Sequence, residues 1–198
     1  MRLAGSSSRS FRIRFCASLA LAIACVSFES ANFCRADEGL SGGSEAARVK
    51  AKAFLSVKRL PAGGECEVVV YVDIQDGWHI NGNTTVKDWQ IPTELTVTSK
   101  FGTKLVRVSY PKGRLARIPG SDEPVPVYER QATIRGVLAI PPEAAGQMEQ
   151  FRIQLRYQAC NARECEPPKA FRLVGKVAVA AEGEAVEQAN AKLFPKTH

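Results

Sequence analysis

The sequence predicts an all-β protein, an antiparallel sandwich. About eight short strand-like stretches recur at intervals of roughly ten residues. Gly or Pro bounds each of them. No amphipathic helix stands among them, so nothing suggests crossover helices or a parallel sheet.

The first 36 residues stand apart from that pattern. Arg2, Arg9, Arg12 and Arg14 precede an uncharged apolar run, and Cys34-Arg35-Ala36 has small side chains where a signal peptidase reads. Residues 1–36 therefore read as a signal peptide for export, and the mature chain starts near Asp37. Ala22-Ile23-Ala24-Cys25 faintly resembles a lipoprotein processing site, but its first two positions fit poorly. No later apolar run is long enough to span a membrane. Removing this segment takes the formal charge from +7 to +3, with 22 basic and 19 acidic residues left. The basic surplus belongs largely to the leader, so no nucleic-acid partner is inferred from it.

Residues 37–47, rich in Gly, Ser, Glu and Ala, read as a flexible lead-in. A first strand is expected over 49–57, then a turn at Pro61-Ala62-Gly63-Gly64. ECEVVVYVDI (Glu65–Ile74) is β-branched or aromatic nearly throughout and is the clearest strand signal. Gln75-Asp76-Gly77 turns the chain into Trp78-His79-Ile80-Asn81. Residues 82–89 read as loop. Residues 91–98 read as a strand, with Pro92 near its start where a missing N–H is tolerated. Phe101-Gly102 turns, 104–110 alternates again, and Pro111-Lys112-Gly113 ends it. Residues 114–126, with three prolines and Gly120, read as one long ordered loop. Residues 127–140 read as one long strand, followed by a Pro141-Pro142 turn. Residues 151–157 alternate with period two, and 170–179 form the last strand. The Ala- and Glu-rich stretch 182–194 suggests a short helix or a frayed tail. The domain is thus expected over 48–179 with a tail over 180–198, as an immunoglobulin-like antiparallel β-sandwich. A sandwich of this size buries a core that does not need a disulfide to fold.

Chemistry concentrates in Tyr157-Gln158-Ala159-Cys160-Asn161-Ala162-Arg163-Glu164-Cys165-Glu166-Pro167-Pro168. Two cysteines with four residues between them come within bridging range if the chain doubles back. An exported protein meets oxidising conditions. Of the mature cysteines, Cys66 lies on the most apolar strand and reads as a small buried hydrophobe rather than a third redox thiol. A bridge closing six residues restrains the unfolded chain little, by about 2 kcal/mol. Three readings stay open on spacing alone: a structural staple, a redox pair, and a metal site with His79 as the candidate third ligand. Arg163 and the turn N–H groups would favour a thiolate, and Glu164 and Glu166 would oppose it. Leu115 and Ile118 are apolar side chains on a polar loop, which suggests that they cover something. Asp76, Glu94 and Asp122 read as solvated carboxylates. Nucleophile-elbow, phosphate-loop, zinc-protease and dinucleotide motifs are absent.

The ordered set Gly77-Trp78-His79-Ile80, Ile91-Pro92-Thr93-Glu94-Leu95, Tyr110-Pro111-Lys112-Gly113, Val127-Tyr128-Glu129 and Tyr157-Gln158-Ala159-Cys160 with Cys165 and Pro167-Pro168 resembles the periplasmic N-terminal domain of the thiol:disulfide interchange protein DsbD. The likeness covers about residues 48–178. It implies a sandwich in which Cys160 and Cys165 are the redox pair, taking electrons from a membrane-embedded carrier and passing them to periplasmic, thioredoxin-like partners. It implies no cofactor. By position, 114–126 would be a cap loop, with Leu115, Ile118 and Gly120 on it and Tyr157 beside the pair. The family's site-adjacent aromatics fall near His79 and Asn81, which are different residues here, and the cysteine spacing is one residue shorter than in the best-known member. The family protein usually continues into a membrane domain and a thioredoxin-like domain. The expectation here is a stand-alone, monomeric exchange module. The alternative is a non-enzymatic, protein-binding sandwich in which the cysteines form an inert clip.

Overall fold

The computed structural model describes residues 40–42, 48–85, 88, 90–118 and 120–194. The expected signal peptide, with Cys16, Cys25 and Cys34, lies outside these residues. So do Pro119 and most of the lead-in.

Three antiparallel sheets make up the fold. In chain order the strands are β1 (Leu40–Gly42), β2 (Val49–Leu55), β3 (Glu65–Ile74), β4 (His79–Asn81), β5 (Glu94–Ser99), β6 (Lys104–Ser109), β7 (Arg114–Ala116), β8 (Val125–Glu129), β9 (Gln131–Ala139), β10 (Met148–Tyr157), β11 (Ala159–Cys160) and β12 (Lys169–Ala178). The first sheet runs β1-β2-β3-β9-β6 and the second β12-β10-β5, and the third, β11-β4-β8-β7, carries the cysteine pair.

The first two sheets form the immunoglobulin-like sandwich. Alternation on β3 sends Val68, Val70 and Val72 inward, and alternation on β10 sends Phe151, Ile153 and Leu155 inward to meet them, with Leu173 from β12 and Leu95 from β5. Period-two burial on strands paired on both flanks is what an inner sheet face requires.

The chain leaves β5 in the second sheet and enters β6 in the first through Ser99–Thr103. Glu149, fully buried on β10, holds that corner. Its Oε1 accepts hydrogen bonds from the N–H groups of Lys100 (2.9 Å), Phe101 (3.1 Å) and Gln150 (2.9 Å), and its Oε2 accepts one from Thr103 Oγ1 (2.7 Å). Burial pushes this carboxyl's pKa up, but the four hydrogen bonds together outweigh it and hold the group below its ordinary value.

The third sheet grows out of the sandwich. β3 passes through the Gln75–Trp78 turn into β4, and β10 runs on through Gln158 into β11. The long strand expected over 127–140 is two strands, β8 and β9. Arg130 breaks it with φ of 58°, a left-handed conformation that redirects the chain, and its carbonyl accepts from Ile74 N–H (2.7 Å). The stretch expected as a single loop over 114–126 contains strand at both ends, because β7 pairs with β8. Within the lead-in, 40–42 form β1, whose backbone satisfies the open edge of β2.

Residues 182–194 are neither helix nor frayed tail. Val57 bridges Gln188, Lys58 N–H donates to the Glu187 carbonyl, and Asn190 Nδ2 donates to the Leu55 carbonyl (2.9 Å). Ala189 and Phe194 are buried, and a single 3-10 turn spans Ala191–Leu193. Backbone pairing with the 55–58 segment outcompetes the weak helix propensity of so short a stretch.

Glu149→Gln is expected to cost about 1–3 kcal/mol in denaturant unfolding, because charge-assisted acceptance at the corner is lost. The carboxyl's pKa is lowered by folding. Its stabilisation is therefore complete above the ordinary value of 4.5 and lost as pH falls through the lower folded value. The wild type should lose stability below pH 4.5 more steeply than the Gln variant.

Candidate functional site

β11 carries Cys160 to the end of the third sheet, and the chain reverses through Asn161–Glu164 to bring Cys165 back opposite it. The reversal is held by Asn161. Its Oδ1 accepts from Arg163 N–H (2.8 Å) and Glu164 N–H (2.9 Å), while its own N–H donates to the Glu164 carbonyl (2.9 Å). An Asx side chain at the first turn position does this because it mimics a backbone acceptor. Glu166 N–H closes the next rung on the Ala159 carbonyl (2.8 Å). Cys160 and Cys165 are therefore a directly opposed pair between two hydrogen-bonded rungs. They are joined as a disulfide with Cα atoms 4.0 Å apart. Cys160 is fully buried and Cys165 is partly exposed.

Register fixes what stands beside them. Cys160 pairs with His79 on β4, and His79 pairs with Glu129 on β8. One row across the sheet therefore reads Cys165, Cys160, His79, Glu129, all on one face. The other face of the same strands carries Ala159, Ile80 and Tyr128, which belong to the main core. His79 is buried and its Nε2 has no hydrogen-bond partner. Burial holds the His79 pKa below the ordinary histidine value; Glu129 opposes that shift and Arg114 adds to it. Glu129 Oε1 accepts from Arg114 Nη2 (2.5 Å).

Asn81, two residues on, lies on the same face. Its Nδ2 donates to the Ile91 carbonyl (3.0 Å) and to Gln158 Oε1 (3.3 Å), and Gln158 Nε2 donates to the Glu166 carbonyl (3.2 Å). That chain of contacts ties β4 to the exit from Cys165. Asn81 Oδ1 is buried without a partner. Glu166 receives Lys169 Nζ (2.7 Å) and lies 3.6 Å from Arg48 Nε, whose guanidinium sits 4.5 Å over the Trp78 ring.

The remaining expected residues divide. Tyr157 points the other way, into the main core, where its ring stacks on Phe171 at 5.5 Å. Burial pushes its phenol up to about 12, with Glu166 adding to the shift. Ile118 is buried against Val125 and Val127, on the face that carries Cys160. Leu115 pairs with Pro126, on the opposite face by alternation, and is 66 % exposed. Gly120, with φ of 80°, supplies the left-handed turn that lets Ser121 N–H reach the Ile118 carbonyl. Cys66 is buried in the sandwich as expected, and burial, with Glu67 adding, pushes its thiol up to about 12.

A cleft of about 630 Å³ opens beside the row, walled by Trp78, His79, Arg114, Glu129, Arg130 and Ala162 of the cysteine turn. Among the described residues, no three His, Cys, Asp or Glu side chains converge as metal ligands. Nor is any helix among them long and apolar enough to cross a membrane. Sequence reasoning missed Arg48 altogether, and it quoted Asn161, Gln158 and Glu129 within motifs without assigning them a role at the site. Asn161 was the findable one, since an Asn directly after a strand and before a reversal is a turn signal.

Fold and site together define a β-sandwich that presents a short-loop cysteine pair on a strand-end turn. The chain belongs to the family described as thiol:disulfide interchange protein DsbD, N-terminal, whose model matches residues 47–173; it is a family of thiol–disulfide exchange modules. Similar solved structures include the N-terminal periplasmic domain of ScsB from Proteus mirabilis, at 10% identity and a TM-score of 0.48, over 69% of this chain and 51% of that one. Another is the reduced N-terminal domain of DsbD from Neisseria meningitidis, at 19% identity and a TM-score of 0.35, over 68% of this chain and 86% of that one. The chain spans about half the length of the ScsB domain. No curated protein matches it.

Asn161→Ala removes two hydrogen bonds that shape the turn of the disulfide-bonded form. The oxidised form should lose about 1 kcal/mol relative to the reduced one, making the bridge easier to reduce by roughly 20 mV. Equilibration of wild type and variant against a glutathione buffer measures the difference.

Proposed function

We propose that this chain is a periplasmic thiol–disulfide exchange module that relays electrons through Cys160 and Cys165. A membrane-embedded carrier supplies them, and periplasmic proteins of thioredoxin-like type receive them. The observation that carries the reading is the cystine itself: a six-residue loop outside the main core, with one sulfur reachable, in a chain of this family. Residues 1–36 serve as the export signal that delivers the chain to an oxidising compartment.

The difference in exposure assigns the roles. Cys165, partly exposed, is the sulfur a partner reaches, so in the reduced protein its thiolate attacks the partner's disulfide. That partner leaves one half as a thiol and stays bound through a mixed disulfide. Cys160, buried behind it, then attacks the Cys165 sulfur, restores the bridge and releases the second half. Two electrons and two protons pass from the module to the partner. The segment over 117–123, anchored by Ile118 on Val125 and Val127, acts as a cap that restricts small thiols, a gating role that loops commonly take.

The test is the reduction potential of the purified protein. A value between about −180 and −270 mV, where exchange proteins operate, is expected; one well below about −300 mV would instead mark an inert clip in a protein-binding sandwich. Cys160→Ala should trap partner proteins as mixed disulfides on Cys165, visible on non-reducing gels of periplasmic extract, and Cys165→Ala should trap none. Ile118→Ala should speed reduction by dithiothreitol several-fold, whereas Leu115→Ala, altering an exposed side chain on the other face, should leave the rate within twofold.

A further inference from the structure

We propose that His79 is the proton acceptor for Cys160 in the step that closes the disulfide. This rests on the exchange reading above and concerns one proton within it.

Closing the bridge asks a buried thiol to become a nucleophile. Cys160 is fully buried, and burial raises a thiol's pKa by penalising the thiolate. Cys160 has no solvent-exposed surface in the disulfide-bonded protein, so the nearest base for it is a protein group. The candidates are the charged and titratable side chains of the strands packed around it. Glu129 on β8 is engaged by Arg114 from β7. Asp76 and Arg130, at the turns beside the cleft, lie 3.8 Å apart as an exposed pair. Glu166, after Cys165, is met by Lys169 and Arg48. His79 alone is the direct cross-strand neighbour of Cys160, on the same face, with Cβ atoms about 5 Å apart as such pairs stand.

The state of His79 fits the role. It is about nine-tenths buried, and its Nε2 has no partner in the oxidised protein. A buried polar atom left alone is costly, and most find a partner. In the disulfide, Cys160 has no hydrogen to offer. Reduction creates an S–H beside the imidazole, and the orphaned nitrogen gains a donor. Burial also keeps the ring neutral near pH 7, the form that accepts a proton.

The step balances as follows. In the mixed disulfide between Cys165 and a partner sulfur, the proton of Cys160 S–H passes to Nε2 of His79. The sulfur's electron pair forms the Cys160–Cys165 bond. The bond from Cys165 to the partner sulfur breaks, and the partner leaves with that pair as a thiolate. The imidazolium returns its proton to that thiolate or to water in the adjoining cleft. The module is oxidised and the partner disulfide reduced.

The experiment uses the exported protein, reduced, then mixed with excess glutathione disulfide. Closure of the glutathionylated intermediate is followed by mass in acid-quenched samples between pH 6 and 10. His79→Gln keeps a polar side chain of similar reach but cannot take the proton at these pH values. Closure in this variant should be about a hundredfold slower at pH 7, the low end of what a positioned base supplies. The deficit should narrow as pH rises toward 10, because a larger fraction of the thiol then ionises without a base. Closure rates within twofold of wild type across the range would overturn the inference and leave the exchange reading standing. A wild type that never closes its bridge would take down both. Should His79→Gln fail to fold, the His79 ring can be titrated by NMR in the oxidised and reduced wild type. The two states should differ in ring pKa by half a unit or more, because a coupled thiol appears only on reduction. Identical titrations would overturn the inference.

Discussion

The place of the disulfide depends on an unbroken two-residue alternation along one run of chain, from Glu149 to Cys160. Glu149, Phe151, Ile153, Leu155, Tyr157 and Ala159 are all buried on the side that faces the sandwich core, which leaves Cys160 on the other face. β10 cannot slide, because β12 pairs with it over its whole length and β5 over 151–156. A slip of one residue would send every one of these side chains to the wrong face. It would expose Phe151 and Leu155, bury Arg152 and Arg156, and turn Cys160 away from His79. The hydrophobic pattern of the sandwich thus sets the chemistry at its end.

The same run separates folding from redox state. At its start, Glu149 locks the corner where the chain changes sheets. At its finish, the cysteine turn stands beyond the main core cluster, which contains Ala159 but neither sulfur. A six-residue loop restrains the unfolded chain by only about 2 kcal/mol, a small share of what the inner faces of two sheets contribute. Both sulfurs therefore stand outside the packed core of the sandwich.

The sandwich was legible because its strands are long, β-branched and buried on one face, so period and composition agree at Glu65–Ile74 and over 151–157. The cysteine turn was legible from spacing, and the family from the order of its motifs. Three features were hidden, each for a physical reason. Arg130 carries no turn signature, since arginine has no intrinsic preference for a left-handed backbone; tertiary pairing with Ile74 imposes it. The strand character of 114–116 comes from β8 offering an edge, which no local propensity records. The 182–194 segment owes its shape to β2 and the 55–58 segment, far away in sequence. For the site, resemblance placed His79 and Asn81 near the pair, and the metal reading had named His79 as well. What they do there depends on register, which a single sequence does not display. Tyr157 illustrates the limit: one residue from Gln158 along the chain, it faces the core rather than the sulfurs.

The charges around the pair differ from what its sequence neighbours suggest. Read along the chain, Glu164 and Glu166 flank Cys165 and should oppose a thiolate. In space, Glu166 is met by Lys169 and reached by Arg48, so its charge is largely balanced, and Glu164 is exposed to water, where its field is screened. Glu129, the carboxylate that register brings into the same row, is likewise engaged by Arg114. The titratable group that register sets directly beside Cys160 is therefore the buried imidazole of His79. A neutral neighbour neither stabilises a standing thiolate strongly nor repels one.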